Sequence, residues 1–400
     1  MDWVYLDNNA TTRPLPEVTA AVDEASRELW ANPSSVHRLG QQVRQRIELA
    51  RQSVADLIND KPRELVFTSG GTESDNLAVF GVTPVIENLT LITTKVEHAA
   101  VREPAGRVEQ RGGKVVYAPV DLDGRVLLEP LKEILASHAL QGRVTLVSIQ
   151  SANNETGVIQ PIEPIAELVQ QARAALSEQH GRVYVYLHLD ATQAVGKLPV
   201  DVARMGADLL TLAAHKFHGP KGVGALWLRR GVQVSRTQLG GAQERDRRGG
   251  TENTPGIIGM GVAAEQAKAF VEDASAIARI RDLRDQLEQG ISAALPNTVV
   301  NSSGAERLWN TTNLGFPGIE AEAVLLGLSE RGICASAGAA CSSGSLDPSP
   351  VLLAMGIPEP VAHGSVRFSL SRFTTQSDID RALDEVPKVV GRLMKTLPTG

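Results

Sequence analysis

The chain has 400 residues, of which 42% are hydrophobic and 22% are charged, and its formal net charge is −6. This is an ordinary globular composition, and its length allows two domains at roughly 100–200 residues each. The scattered Lys and Arg residues give no indication of nucleic-acid binding, and no apolar run approaches the roughly 18 residues of a membrane helix.

The first residues, Met1-Asp2-Trp3-Val4-Tyr5-Leu6-Asp7, are acidic and lack the basic start and apolar stretch of a signal peptide. We therefore expect a cytoplasmic protein in a reducing compartment. The two cysteines, Cys334 and Cys341, are then not expected to form a structural disulfide.

Short apolar runs alternate with helical patterns over the first 250 residues. The candidate strands are Leu65–Ser69, Leu89–Thr93, Lys114–Ala118, Val144–Gln150, Val183–Asp190 and Gly224–Leu228. Apolar residues recur at helical spacing between several of them, as from Leu39 to Leu57. This alternation predicts an α/β fold with a largely parallel sheet and helices on both faces. Ligands of such sheets bind at the carboxyl ends of the strands.

The pattern changes after Pro255. The stretch from Val262 to Leu295 is a long helical pattern with one apolar stripe, which indicates core packing. Shorter strand and helix signals follow it. They predict a smaller α+β domain over residues 262–400, packed directly against the first.

The first candidate site follows the strand Leu65-Val66-Phe67-Thr68-Ser69, where the chain continues Gly70-Gly71-Thr72-Glu73-Ser74 into a helical pattern. Glycines let the backbone approach a ligand closely, and a helix N-terminus offers free N–H groups to a phosphate. A plain tight turn accounts for the same residues equally well.

The second candidate is Asp190, which ends the strand Tyr184–Asp190 at the edge where ligands bind. A carboxylate there can cap the next helix. It can equally be the counter-ion of a protonated ring nitrogen, as the pyridoxal cofactor requires.

The third candidate is Lys216, which an apolar strand delivers into the turn His215-Lys216-Phe217-His218-Gly219. Lysines rarely end buried strands unless they are paired or functional. An amine in a partly desolvated, cationic site has a lowered pKa and can form a Schiff base. Lys221 is a rival for this role, although its position after Pro220 favours a solvated or phosphate-steering charge. The two histidines allow a metal site, but no Cys or carboxylate lies at ligand spacing.

The two cysteines lie in different surroundings. Cys334 belongs to the apolar run Gly332-Ile333-Cys334-Ala335, which is typical of a small buried hydrophobe. Cys341 lies in a segment of small and polar residues that continues Ser342-Ser343-Gly344-Ser345. Its thiol is therefore expected to be reachable.

Together these segments resemble one family, the cysteine desulfurases, which are pyridoxal-phosphate enzymes of the class V aminotransferase group. The resemblance spans nearly the whole chain and follows one order of motifs. The matching segments are Tyr5–Thr12, Asn32–His37, Ser69–Asn76, Glu97–Val101, Asn153–Gly157, Asp190–Lys197, His215–Gly222, Gly249–Asn253, Cys341–Ser345 and Ser365–Ser369.

The resemblance implies the pyridoxal-phosphate transferase fold, which is like that of aspartate aminotransferase. A large cofactor-binding domain over residues 15–261 would contain a mainly parallel seven-stranded sheet. A small domain over residues 1–14 and 262–400 would carry the Cys341 loop.

The resemblance also implies a role for residues around the cofactor ring. Lys216 resembles the Schiff-base lysine, Asp190 the partner of the pyridinium nitrogen, and Gln193 the partner of the ring hydroxyl. His98 resembles the histidine that stacks on the ring and shuttles protons. Asn154 matches an asparagine that contacts the cofactor and the substrate.

At the cofactor phosphate, the resemblance implies that Gly71, Thr72 and His215 are ligands and that Thr251 is a ligand from the other subunit of a homodimer. One residue departs from the family pattern, which usually has a phosphate-binding serine two residues before His215. This chain has Ala213 there. A hydrogen bond to a charged group contributes roughly 1.5–3 kcal/mol, so we expect a looser grip on the cofactor.

The implied activity is that of a transferase that converts L-cysteine to L-alanine. The sulfur goes to Cys341 as a persulfide and then to an acceptor such as an iron–sulfur cluster scaffold. Arg367 resembles the clamp of the substrate carboxylate, which a planar guanidinium binds bidentately.

Different activities are compatible with parts of the same pattern. A transaminase or a β-eliminating lyase would need the lysine and the aspartate but no loop cysteine. A selenocysteine-specific enzyme would need the whole set. A binding protein that kept the fold without catalysis would need none of these side chains.

Overall fold

The computed structural model describes residues 2–138, 144–181, 183–337 and 347–396. The strands are β1 (Val4–Tyr5), β2 (Leu65–Thr68), β3 (Leu89–Thr93), β4 (Lys114–Tyr117), β5 (Val144–Gln150), β6 (Tyr184–Asp190), β7 (Leu209–Ala213), β8 (Gly224–Leu228), β9 (Val299–Val300), β10 (Thr311–Gly315), β11 (Ile333–Cys334) and β12 (Ser365–Ser369). The helices are α1 (Pro16–Glu28), α2 (Arg38–Leu57), α3 (Gly71–Gly81), α4 (Ala99–Gln110), α5 (Leu128–His138), α6 (Ile162–His180), α7 (Gln243–Asp246), α8 (Thr254–Glu272), α9 (Ala274–Ala294), α10 (Ala321–Ser329), α11 (Pro350–Ala354), α12 (Glu359–His363) and α13 (Gln376–Thr396).

The largest sheet has seven strands in the order β2-β8-β7-β6-β5-β3-β4. Neighbouring strands are parallel from β7 through β4, whereas β8 runs antiparallel to both β2 and β7. This confirms the predicted α/β fold with a mainly parallel seven-stranded sheet. The carboxyl ends of β5, β6 and β7 therefore meet at one edge.

Helices cover both faces of the sheet. Alternate side chains of a strand point to opposite sides, so each strand contributes to two cores. In β2, for example, Phe67 packs into one hydrophobic core and Val66 into another. The first core includes apolar residues of α2, α6 and α8, such as Val43 and Ile165. The second includes residues of α3 and α4, such as Leu77. The long apolar runs of the strands follow from this burial.

A separate core lies among the later elements. It joins α9, α10 and α13 to the antiparallel sheet β12-β10-β9 and to the parallel pair β1-β11. The pairing of β1 with β11 brings Val4 and Leu6 into this core. The domain limits at residues 14/15 and 261/262 remain a prediction.

The pattern from Val262 to Leu295 is not one helix. It contains the end of α8 and all of α9, which are separated at Asp273. The Asp273 carboxylate accepts hydrogen bonds from Ser275 N and Ala276 N, both at 3.0 Å, and so caps α9. None of the helices in the described ranges is both long and apolar enough to cross a membrane.

Candidate active site

A cavity of about 240 Å³ lies at the sheet edge where β5, β6 and β7 end. Gln150, Asp190 and Ala213, the last residues of these strands, all line it. The edge that strand topology predicts as the ligand site is therefore the edge that holds the cavity. Eight of the residues singled out in the sequence line it: Gly71, Thr72, His98, Asn154, Asp190, Gln193, His215 and Lys216.

Of the two roles considered for Asp190, the structure shows a capping contact, and the counter-ion role stays a prediction. Its Oδ1 accepts a hydrogen bond from Thr192 N at 3.0 Å, so the carboxylate caps the turn after β6. That segment is a turn and not a helix. The side chain is buried and also lines the cavity, which places it where a ring nitrogen could meet it.

Two other carboxyl groups lie close to Asp190. Burial, followed by the charge of Asp190, raises the pKa of Asp75 well above its usual value. Burial raises the pKa of Glu97 to about 8, and the charge of Asp190 acts in the same direction. Removal from water disfavours the charged form of an acid. At neutral pH the Glu97 carboxyl is therefore mostly protonated and adds little negative charge beside Asp190.

Glu97→Gln is expected to make stability less sensitive to pH. The native Glu97 binds its proton up to about pH 8, whereas the unfolded side chain releases it near pH 4.5. Between these values the native state binds more protons, so stability falls as the pH rises, by on the order of 1 kcal/mol per pH unit. The glutamine amide mimics the protonated carboxyl, since it can accept from Gln150 N and donate to Thr94 Oγ1, which contact Glu97 at 2.7 Å each.

The measurement is the free energy of unfolding by denaturant at several values between pH 5 and pH 8. The variant should gain stability relative to the wild type as the pH rises. Glu109→Gln, on the α4 surface, serves as the control. Parallel curves for the wild type and the Glu97 variant would contradict the assignment.

Lys216 ends a short 3₁₀ turn, Ala214–Lys216, that directly follows β7. Its Nζ donates hydrogen bonds to the carbonyl oxygens of Asn9 at 2.7 Å and Ala10 at 2.9 Å. These two carbonyls, distant in sequence but adjacent in space, hold the amine at the wall of the cavity. Lys221, the rival lysine, is exposed and does not line this cavity.

His98 begins helix α4 as its N-cap. Its Nδ1 accepts a hydrogen bond from Ala100 N at 3.1 Å. Burial lowers the pKa of His98, and the positive charges of Lys216 and Arg102 act in the same direction. The ring is thus neutral at pH 7, and because Nδ1 is an acceptor, its proton lies on Nε2. Without the family resemblance, this half-buried histidine would have been interpreted as a surface residue.

One end of the cavity is formed by Gly71 and Thr72 in the first turn of α3. The first N–H groups of a helix have no partner within it and suit an anion. A Cβ on Gly71 would lie 3.1 Å from Thr192 Oγ1 and 3.6 Å from Ala213 Cβ, so a side chain there would crowd Thr192. His215 also lines the cavity, and burial followed by the charge of Lys216 lowers its pKa to about 4.

Buried polar atoms at the cavity wall fit a polar ligand. Thr192 Oγ1 and Asn154 Oδ1 are buried and have no hydrogen-bond partner among the residues that the structure describes. An unsatisfied buried group of this kind costs about 1–3 kcal/mol. Their residues line the same cavity as Asp190, Lys216 and Gly71. The set therefore offers partners for a ring with polar substituents and a phosphate.

Arg367 lies behind the cavity and does not line it. It is only 1% exposed, and its guanidinium donates to the Asn154 carbonyl at 2.8 Å and to Asp7 Oδ1 at 2.7 Å. Arg367 therefore contacts Asn154, which lines the cavity, but does not reach the cavity itself. The ion pair with Asp7 was not expected from the sequence.

The remaining residues singled out in the sequence either do not line the cavity or lie outside the described residues. Thr251 is exposed in the segment before α8 and does not line it. Cys341 lies outside the described residues. Cys334, expected to be buried, is half-buried in the short edge strand β11, and burial, followed by the charge of Asp7, raises its pKa. His218 Nδ1 donates a hydrogen bond to the Arg13 carbonyl at 2.8 Å, which is a structural contact.

Sequence reasoning missed Asn9, a buried residue that links several parts of the site. Its carbonyl accepts from Lys216 Nζ and from Gln193 Nε2, and its side-chain Nδ2 donates to the Asn154 carbonyl at 3.2 Å. Its Oδ1 accepts from Lys197 Nζ at 3.1 Å. Both Asn9 and Lys197 belong to segments of the family resemblance, which was the available signal for them.

The chain is similar to known proteins over nearly its whole length. Residues 4–382 match the family model described as aminotransferase class-V. The chain is 47% identical over 399 residues to "Cysteine desulfurase 2" of Trichormus variabilis, with 100% of this chain and 96% of that protein covered. It is 46% identical to "Cysteine desulfurase NifS" of Azotobacter vinelandii, with 99% and 94% covered. The solved structure of a "NifS-like protein" superposes with a TM-score of 0.87 at 34% identity, with 98% of this chain and 100% of that chain covered.

Proposed function

The chain belongs to the aminotransferase class-V family and to the cysteine desulfurases within it, and from this membership we propose that it converts L-cysteine to L-alanine with transfer of the sulfur to Cys341. The observation that carries the proposal is the cavity that brings Lys216, Asp190 and His98 together at one sheet edge. An amine, a carboxylate and a neutral imidazole around one cavity suit chemistry at the carbon beside an amino group.

The test is a product analysis with L-cysteine and a thiol reductant. We expect alanine and sulfide in equal amounts. Pyruvate and ammonia would indicate a β-eliminating lyase, and a keto acid that retains the sulfur would indicate a transaminase. Either result would contradict the proposal. Relative rates with L-selenocysteine would establish which amino acid is preferred.

The cofactor we propose is pyridoxal 5′-phosphate. Gly71, Thr72 and His215 would hold its phosphate, and Asp190 and Gln193 would contact its ring. The unpartnered oxygens Thr192 Oγ1 and Asn154 Oδ1 support this fit. When bound, the cofactor supplies an aldehyde that captures amines and a protonated ring that takes up electrons from the substrate.

The side chains around the cavity would then have separate catalytic roles. Lys216 would hold the cofactor through its amine, and with substrate bound its free Nζ would remove the proton from the substrate Cα. The Asn9 and Ala10 carbonyls, 2.7 and 2.9 Å from Nζ, orient the amine for this step. Asp190 stabilises positive charge on the ring nitrogen. His98, neutral and protonated on Nε2, can donate a proton there.

Binding of the substrate carboxylate is the role we propose for Arg367. Its fork-shaped guanidinium suits two parallel hydrogen bonds to a carboxylate. In the structure one nitrogen donates to Asp7 and another to the Asn154 carbonyl. Asp7 keeps the buried guanidinium paired before substrate arrives, and a buried cation without a partner would be costly.

The sulfur step is proposed for Cys341. Its thiolate attacks the substrate sulfur, an S–S bond forms as the Cβ–S bond breaks, and the electron pair of that bond stays with the alanine skeleton. A free thiol has a pKa of about 8.5, so it is only partly ionised at neutral pH and needs a nearby base. We assign this help to His98, after its Nε2 proton has been given up, or to the bound cofactor. The product is a persulfide on Cys341 and free alanine.

Passage of the sulfur to an acceptor protein for iron–sulfur cluster assembly completes the proposed function. The relative from Azotobacter vinelandii is named a cysteine desulfurase, which supports the removal of sulfur from cysteine that precedes this transfer. We also propose a cytoplasmic homodimer in which Thr251 contributes to the phosphate site of the other subunit. The exposure of Thr251 and its distance from its own cavity are consistent with such a contact.

Ala213→Ser is expected to tighten cofactor binding. Ala213 lines the cavity beside Gly71, so a hydroxyl there can reach a phosphate held at the first turn of α3. One hydrogen bond to a charged group contributes roughly 1.5–3 kcal/mol, which lowers the dissociation constant at least about tenfold. The measurement is cofactor titration into the apoprotein. Ala214→Ser, at a buried neighbour outside the cavity, is the control, and an equal affinity of Ala213→Ser and wild type would refute the role.

A further inference from the structure

Lys197 is a second lysine directly behind the cavity wall. It is 4% exposed, and its Nζ donates to Asn9 Oδ1 at 3.1 Å and to Gln193 Oε1. Burial lowers the pKa of Lys197, and the nearby charges of Lys216 and Arg367 act in the same direction. Lysines are almost never fully buried unless they are paired. Both partners of this lysine belong to the active-site wall.

The contact with Lys197 decides which way the Gln193 amide faces. An amide has one acceptor oxygen and one nitrogen with two protons. The oxygen is occupied by Lys197, and Nε2 donates to the Asn9 carbonyl at 2.9 Å. A flipped amide would set its N–H groups against the N–H groups of Lys197 and its oxygen against the Asn9 carbonyl. The flip would therefore lose two hydrogen bonds and create two repulsive contacts.

With this orientation fixed, Gln193 has one further N–H to offer. Gln193 lines the cavity, so the group that it can present to a ligand is a donor and not an acceptor. A donor suits an anionic or electron-rich oxygen. The phosphate and the ring oxygen of the proposed cofactor both fit this description, and the ring oxygen is the partner of Gln193 that the family resemblance implies.

We propose that Lys197 is a positioning residue that locks Gln193 as a hydrogen-bond donor to the cofactor ring oxygen. This inference rests on the proposed function, since the acceptor belongs to pyridoxal 5′-phosphate. Lys197 acts at a second point as well. It donates a hydrogen bond to Asn9 Oδ1, and the Asn9 carbonyl accepts a hydrogen bond from Lys216 Nζ. One buried amine thus steadies both the ring contact and the lysine that would carry the cofactor.

The consequence concerns the proton shared between that ring oxygen and the nitrogen of Lys216. A donor to the oxygen draws electron density from it and weakens its attraction for the shared proton. The lysine-linked cofactor then loses this proton at a lower pH. Without the locked donor, the proton is held to a higher pH. The other charged groups around the site, Lys216, Asp190, His98 and Arg367, stay the same in this comparison.

The test uses the holoprotein and Lys197→Met, which keeps the side-chain length but cannot donate. Visible absorption is followed against pH, and cofactor affinity is measured by titration of the apoprotein. We expect the midpoint of the absorption change to rise by about one pH unit and the dissociation constant to rise about tenfold. Trp309→Phe is the matched control, since it removes a 2.7 Å hydrogen bond to the Lys197 carbonyl and leaves Nζ intact. Its midpoint should equal that of the wild type.

Each outcome has a distinct meaning. A wild type that shows no cofactor absorption overturns the proposed function itself. A wild type that titrates normally together with an unchanged midpoint in Lys197→Met overturns the positioning role. If Lys197→Met does not fold, Gln193→Glu replaces it, because a carboxylate has no N–H to donate while Lys197 keeps its partner. Its midpoint must also rise, and an unchanged midpoint refutes the donor role.

Discussion

Replacement of Lys216 by Ala is expected to remove the visible absorption of the lysine-linked cofactor and to abolish turnover of L-cysteine. The side chain would supply both the covalent link and the base that removes the Cα proton. General base catalysis alone contributes about 10²–10⁴-fold, so alanine formation should fall at least about 100-fold. Absorption spectra of the purified variant and a timed assay of alanine measure the two effects.

Lys221→Ala is the matched control for this experiment. Lys221 is exposed, lies five residues further along the same segment and does not line the cavity. The variant should keep the absorption band and most of the activity. If Lys216→Ala kept the band and Lys221→Ala lost it, the role of cofactor anchor would pass to Lys221.

Replacement of Cys341 by Ala is expected to separate cofactor chemistry from sulfur transfer. The variant should retain the absorption band, because Lys216 and the cavity are unchanged, but it lacks the thiolate that accepts the sulfur. Sulfide release under reductant should fall at least about 100-fold, which corresponds to about 2.7 kcal/mol of activation free energy. The readouts are sulfide release and the mass of a persulfide on the trapped wild-type protein.

Cys334→Ala is the control for the second experiment. Cys334 pairs with Tyr5 in the β1-β11 sheet and does not line the cavity. Its replacement should leave sulfide release close to that of the wild type. A normal rate in Cys341→Ala would mean that the sulfur leaves without a persulfide on this residue. Loss of activity in Cys334→Ala alone would move the role to that thiol.

Local sequence patterns predicted the central sheet well, and the reason is physical. Strands buried on both faces, such as Leu89–Thr93 and Val144–Gln150, are rich in Leu, Ile, Val and Thr, which marks them as strands in the sequence. Strand order then places Asp190 and Lys216 at one edge through the rule for parallel sheets. The break between α8 and α9 was missed because apolar spacing continues across Asp273, whose carboxylate begins a new helix.

The contacts that complete the site could not be predicted in this way. Arg367 pairs with Asp7 across 360 positions, and Lys197 reaches Asn9 across 188. No periodicity within a segment encodes such pairs, since they depend on how the later core folds back on the early residues. Only the family resemblance singled out Arg367, and no local feature distinguished Asn9 from a polar loop residue.

The position of Asn9 has a consequence for the order in which the protein can mature. Its backbone N–H bonds to Ser369 Oγ, 360 residues later, and its side chain bonds to Thr311. During synthesis on the ribosome, Asn9 is therefore complete long before its partners exist. The seven-stranded sheet can form from residues 65–228 in the meantime. The carbonyls that hold Lys216 can take their final positions only when nearly the whole chain has emerged, so cofactor loading belongs to the finished polypeptide and not to the nascent one.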